Sequence, residues 1–268
     1  MKQLFLVIVL ACFAGLHSMA QHRETRSFGT FSGIDLKTFG TVHLRQGPIQ
    51  NVAFEGNPEL LKKISSTVEN GHLVITFTDK TSWKNNGDLD IYITIKDVES
   101  LRISGSGSIL AETKIITPSL KIKLSGSGNI RAEAEVSNDI DVASSGSGNI
   151  ELRGHAKNFR SKQSGSGNLT LAMRVKEDVS FEISGSGDVR AEGTATNTSI
   201  KIAGSGKISA SDLKTDTCDV SISGSGDVDI HVNESLTSTI RGSGTVVYSG
   251  NPKRVNNSAS GSGSVRKK

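Results

Sequence analysis

Ser104-Gly105-Ser106-Gly107-Ser108-Ile109 is the first copy of a phrase that recurs to the end of the chain. Its Gly-Ser-Gly core restarts at Gly126, Gly146, Gly165, Gly185, Gly204, Gly224, Gly242 and Gly261, at intervals of about twenty residues. A fixed period of that length marks a solenoid, in which no repeat can bury its apolar face alone. Behind each core comes one polar residue (Ser108, Asn129, Asn149, Asn168, Asp188, Lys207, Asp227, Thr245, Ser264) and then an apolar one, from Ile109 to Val265. Polar then apolar after a glycine turn is how a turn feeds a strand.

Two alternating runs flank each turn. After it, Ile130, Ala132 and Ala134 share a face, as do Leu169, Leu171 and Met173; before it, Leu120, Ile122 and Leu124 do the same, as do Val179, Phe181 and Ile183. One unit buries roughly four to six such side chains at about 1.5–3 kcal/mol each. Ordering about twenty residues costs on the order of 20–40 kcal/mol. Units must therefore stack, extending two parallel ladders with rungs about 4.8 Å apart. The expected fold is all-β: a parallel β-solenoid, a single-stranded β-helix over 101–268, right-handed by the crossover preference. Stacked turns would bring Asp188, Lys207 and Asp227 together in one column, set Arg131 against Glu151 and Glu133 against Arg153, and let Asn129, Asn149 and Asn168 form an amide ladder. Glycine in the turn column allows positive φ and leaves room for the next rung. Inward-facing Ser144, Ser161 and Gln163 make a polar spot in the core, bonded to one another or to a buried water. Cys218, in phase with Val220 and Ile222, reads as a small buried apolar side chain.

Before the repeats, residues 1–20 read as a secretory signal: a lysine, an apolar run too short to span a bilayer, and small residues before Gln21. Val9-Leu10-Ala11-Cys12 also resembles a lipobox, which would anchor the chain through lipid on Cys12. No later segment is apolar enough to form a transmembrane helix. Residues 21–100 read as a less regular β region capping the solenoid, without the turn motif. It holds one short helix at Asn57-Pro58-Glu59-Leu60-Leu61, a hairpin at Asn70-Gly71 and a polar loop from Lys80 to Asp88.

A net charge of +4, one Trp (Trp83) and two Tyr argue against nucleic acid as a partner. The glycine turns open strands rather than helices, so they are not phosphate loops. Asp188 and Asp227 follow glycine as in calcium-binding repeats, but the period differs and Lys207 lies between them. His22, His43, His72, His155 and His231 give no pair at metal-ligand spacing. No metal, cofactor or catalytic group is expected. The suggestive surface is a basic strip: Arg102, Lys123, Ala143, Lys162, Glu182 and Lys201 in one outward column, Lys121, Asp141 and Arg160 in the next. Arg102, Lys121, Lys123, Arg160, Lys162 and Lys201 are the candidate ligand-binding residues, suited to anionic glycan. Arg266-Lys267-Lys268 sets charge on the last rung against end-to-end stacking.

Phe31-Ser32-Gly33-Ile34, Val42-His43-Leu44-Arg45-Gln46-Gly47, Asn57-Pro58-Glu59-Leu60-Leu61, Asn70-Gly71-His72-Leu73-Val74-Ile75 and the series from Ser104 together resemble a bacterial family of exported proteins, the "putative autotransporter adhesin, head GIN domain" family. The resemblance spans nearly the whole mature chain. It implies a parallel β-helix similar in outline to pectin-lyase-like proteins but lacking their catalytic residues, and by analogy cell adhesion. The expectation is an exported, non-enzymatic structural or adhesive module, periplasmic, at the cell surface or secreted, with anionic glycan, an envelope component or a surface protein as partner. The alternative is a polysaccharide lyase or hydrolase on a β-helix scaffold, which needs acids or bases from several rungs converging in one groove.

Overall fold

A computed structural model describes residues 22–78 and 87–268. The signal segment, Cys12, Gln21, Trp83 and most of the polar loop after Lys80 lie outside the described residues. All nine glycine turns stand over one another. In the middle of the stack, strand Leu120–Leu124 pairs in parallel with Asp139–Ser144, and Asn129–Val136 with Asn149–Ala156. The same two ladders continue through Asn158–Gln163 and Asn168–Val175 to Arg254–Ser260 and Ser264–Lys267. The turns themselves are bonded rung to rung: Asn149 N donates to Gly128 O at 3.2 Å, and Ser225 N to Gly204 O at 3.0 Å. Hydrogen bonding to both neighbours satisfies the backbone and leaves only the end rungs with free edges.

Between the ladders runs one continuous apolar core. Ile109, Ile130, Ile150, Leu169, Val189, Ile208, Val228 and Val246 form a single buried column, each in register with the next. Asp188 faces Lys207 and Lys207 faces Asp227, as the spacing requires. The amide ladder is present: Asn149 Nδ2 donates to Asn129 Oδ1 and Asn168 Nδ2 to Asn149 Oδ1, both at 2.9 Å. A second polar ladder occupies the opposite corner, where Asn158 Nδ2 donates to Asp139 Oδ1 and Asn197 Nδ2 to Asp178 Oδ1, both at 2.9 Å. Cys218 is buried, and burial pushes its thiol up to about 12. Ser144, Ser161 and Gln163 are buried as expected. They do not bond one another: Gln163 Nε2 donates to Gly167 O at 3.3 Å, while Ser161 Oγ and Gln163 Oε1 have no partner.

The region before Ser104 needs one correction. It does carry a turn of the series, at Lys37-Thr38-Phe39-Gly40. Leu36 pairs with Ile103 and Thr41 with Ser108, so these four residues fill the column of Ser104 to Gly107; Gly107 N donates to Thr38 O at 3.1 Å and Ser108 N to Gly40 O at 2.8 Å. The rung made by Gly33–Leu36 and Thr41–Gln46 is overlaid by Ser100–Ile103 and Ser108–Ala111, and underlaid by His72–Phe77 and Leu89–Ile95, all in parallel. The chain therefore builds its second rung first. Below, pairing turns antiparallel: Ile64–Glu69 on His72–Phe77, Asn51–Gly56 on Leu89–Ile95, and His22–Thr25 on Asn51–Gly56. Asn70 (φ 49°) and Gly71 (φ 75°) make the hairpin turn. Asn57 caps helix Pro58–Leu61, its side chain accepting from Glu59 N at 2.8 Å.

This lower end carries a charge cluster. The His43 ring stacks on Tyr92 with centroids 4.9 Å apart, and its Nδ1 and Nε2 lie 2.9 Å from Glu112 Oε1 and 3.0 Å from Asp90 Oδ1. The hydrogen bond from Arg45 Nε, at 2.6 Å, and that from His43 hold the Glu112 carboxyl below the usual carboxylate range. A depressed folded-state value stabilises the fold above the unfolded-state value and ceases to do so as pH falls through the folded one. Glu112→Gln is thus expected to cost at most about 1 kcal/mol at pH 7. In urea melts the gap between variant and parent closes below about pH 4; a gap that widens there would contradict the assignment.

Candidate anion-binding groove

Strand register brings the predicted basic residues onto one outer face. Arg102 pairs with Lys123, Lys123 with Ala143, Ala143 with Lys162, Lys162 with Glu182 and Glu182 with Lys201; alongside, Ser100 pairs with Lys121, Lys121 with Asp141 and Asp141 with Arg160. Alternation along each strand sends the intervening Leu101, Ile122, Val142 and Ser161 inward, which leaves the charged side chains facing solvent. Ala143 and Ser100 are short where their neighbours are long. The long stems wall a groove of about 540 Å³ that holds Arg102, Lys121, Lys123, Arg160 and Lys162. Lys201 stands in the same column but outside the groove, beyond Glu182.

Charge in the groove is unbalanced. Five cations line it against two carboxylates, and each carboxylate has a partner: Asp35 with Lys37 at 3.5 Å, Asp141 with Arg160 at 3.5 Å. Lys162 pairs with Glu182 at 3.2 Å, just above. Among the described residues the side chains of Arg102, Lys121 and Lys123 make no ion pair or hydrogen bond. A smaller hollow adjoins the groove at each end. One adds His72, Glu99, Pro118 and Ser119, and the other adds Ser144, Ser145, Ser164 and Ser184. The outer face of the other ladder differs. Its hollow is floored by the Asn129, Asn149 and Asn168 ladder and holds three cations, Arg131, Arg190 and Lys207, against Glu151 and Asp188, with Arg131 paired to Glu151 at 3.4 Å.

Spacing did not single out Ser100. It stands between Gly33 and Lys121 in one column, and its hydroxyl is buried in the groove wall without a partner. The arrangement is one of donors: guanidinium, ammonium and hydroxyl, with both acids engaged in ion pairs. Such a set attracts and orients an anion. Among the described residues no cluster of three or more His, Cys, Asp or Glu is placed to hold a metal ion, and no helix is long and apolar enough to cross a membrane.

The sequence matches the model of the family described as "Putative auto-transporter adhesin, head GIN domain" over residues 30–173 and 164–252. No curated protein matches the chain. Among solved structures, a "putative lipid binding protein" from Parabacteroides distasonis is 22% identical, with a TM-score of 0.69 over 92% of this chain and 96% of that one. A "putative adhesin" from the same species is 18% identical, with a TM-score of 0.72 over 94% and 98%. Another, from Parabacteroides merdae, is 16% identical, with a TM-score of 0.62 over 92% and 96%. At these identities the likeness shows a shared fold.

Proposed function

Because the chain belongs to the "Putative auto-transporter adhesin, head GIN domain" family, we propose that it is an exported, non-enzymatic adhesive module that holds an anionic glycan along the basic groove. One observation carries this reading: five cations share a groove whose two carboxylates are already paired. A linear polyanion lying along the solenoid axis would meet a cationic rung at roughly 5–10 Å intervals, since adjacent rungs are about 4.8 Å apart. The adhesin names of the family and of two of the three solved relatives agree with a surface role, and the paired state of Asp35 and Asp141 weighs for binding over acid–base chemistry.

Titration with polygalacturonate and dextran sulfate tests it. Binding is expected at low salt and weakens steeply as salt is raised. Replacing Lys123, Arg160 and Lys162 together by Ala lowers affinity about tenfold or more, at up to about 1 kcal/mol per exposed charge contact. Unaltered binding by the triple variant would overturn the groove as the site. Release of shortened or unsaturated sugars on incubation would favour the lyase or hydrolase reading instead.

A further inference from the structure

Building on that groove reading, we propose that the groove's closed foot is a site for one tetrahedral oxyanion, the phosphate or sulfate group of a monoester, held by Ser100, Arg102, Lys121 and Lys123. The four residues form a two-by-two block, Lys121 over Ser100 and Lys123 over Arg102. Their backbones are about 4.8 Å apart across the rungs and about 7 Å apart along each strand, within reach of a common point for side chains of this length.

One observation independent of the cations points to a ligand here. Ser100 is 6% exposed, lines the groove, and its Oγ has no hydrogen-bond partner. A buried hydroxyl left unpaired is unfavourable, and a ligand oxygen accepting from it removes the penalty. Beside it, His72 donates through Nδ1 to Asn70 O at 2.9 Å, and its ring packs against Gly33, where an added Cβ would meet it. His72 shares a hollow with Glu99, Ser100, Arg102 and Lys121, in which the Glu99 carboxylate accepts from Ser32 Oγ at 3.1 Å.

Chemistry selects the kind of anion. A carboxylate offers two oxygens and one charge to a block of three unpaired cations and a hydroxyl. A phosphate or sulfate ester offers three terminal oxygens: two suit the planar fork of Arg102, and the third, with its several lone pairs, suits the point charges of Lys121 and Lys123 and the Ser100 hydroxyl. The His72 wall closes the foot, whereas the short Ala143 leaves the groove open above. The block therefore takes a terminal group whose bearer extends upward past Arg160 and Lys162.

Calorimetric titration of the chain with inorganic phosphate and sulfate, against acetate at matched ionic strength, tests the site. Phosphate and sulfate are expected to bind at least tenfold more tightly than acetate. Arg102→Gln and Lys121→Gln should each weaken phosphate at least fivefold, and Ser100→Ala about threefold, with no loss of thermal stability; Arg131→Gln, on the outer face of the other ladder, should leave phosphate binding intact. Equal affinity for acetate and phosphate overturns the proposal, as does an Arg131→Gln loss as large as that of Arg102→Gln. If phosphate fails while polygalacturonate still binds, the foot site falls and the groove reading stands; if neither binds, both fall. Two further probes identify the bearer of the ester. Glucose 6-phosphate binding as tightly as phosphate assigns a glycan, and binding confined to phosphatidylcholine vesicles containing phosphatidic acid assigns a lipid headgroup; either outcome, lost in Arg102→Gln, supports the site.

Discussion

Replacing Gly148 by Ala should destabilise the chain by about 3 kcal/mol, at the upper end of what overpacking costs. A methyl group built on Gly148 overlaps the carbonyl oxygen of Gly128 on the rung below and comes to 3.0 Å from both the carbonyl carbon and Leu124 Cδ2. Gly148 is not among the glycines with positive φ, so what it supplies is room rather than an unusual backbone conformation. That room cannot be recovered by a small shift. The Gly128 oxygen is the acceptor for Asn149 N at 3.2 Å, and Asn149 is itself tied to Asn129 and Asn168 in the amide ladder. Lifting the turn would stretch all of these bonds together. Ser147→Ala, one residue away on the exposed side of the same turn, should stay within about 0.5 kcal/mol of the parent. Guanidinium unfolding followed by far-UV circular dichroism measures both; equal midpoints for the two variants would mean that the turns do not stack as closely as described.

The turn column was legible because period, polarity and glycine spacing all repeat, and agreement between local signals is what specifies a register. The first turn, Lys37-Thr38-Phe39-Gly40, escaped because only its last residue keeps the motif's identity. Its four-residue spacing between Leu36 and Thr41 does match that between Ile103 and Ser108. Nor could linear order reveal that His72–Phe77 slides beneath Gly33–Leu36, since that placement follows from a hairpin and a long-range pairing. Register was easier to foresee than partner choice. Glu133 does lie opposite Arg153, yet Arg153 bonds Glu151 on its own strand at 3.0 Å and Glu133 turns to Lys114 at 3.2 Å. Long side chains reach several neighbours, and small energy differences decide among them. In the groove, the cations announced themselves by charge, whereas Ser100 carries no such mark; its significance lies in the partner it lacks once buried. For Ser144, Ser161 and Gln163 the spacing left two partners open, one another or a buried water; the first is not realised, because residues two apart on one strand stand side by side at about 7 Å, too far for a short hydroxyl to reach.

The same polar spot frames the other large effect. Phe181 is fully buried and sits directly over Ser161, with Ile200 above it, and its ring tilts against Phe159 at 6.0 Å between centroids. A large ring over a small serine is a volume match between rungs, so Phe181→Ala leaves a cavity next to a side chain too short to fill it. The rungs cannot close the gap either, because the strands on both sides are fixed by their ladder bonds. The expected cost is about 3–5 kcal/mol. Ser161→Ala should go the other way, neutral or stabilising by up to about 1 kcal/mol, since it removes a buried hydroxyl that has no partner. In a linear stack, the energy lost at Phe181 is lost from the two interfaces that join the lower rungs to the upper ones. Hydrogen exchange on Phe181→Ala should then show the amides above residue 184 losing protection before those of residues 100–160. A uniform loss of protection along the whole stack, or a cost below about 1 kcal/mol, would show that the rungs are coupled by something other than contact with their immediate neighbours.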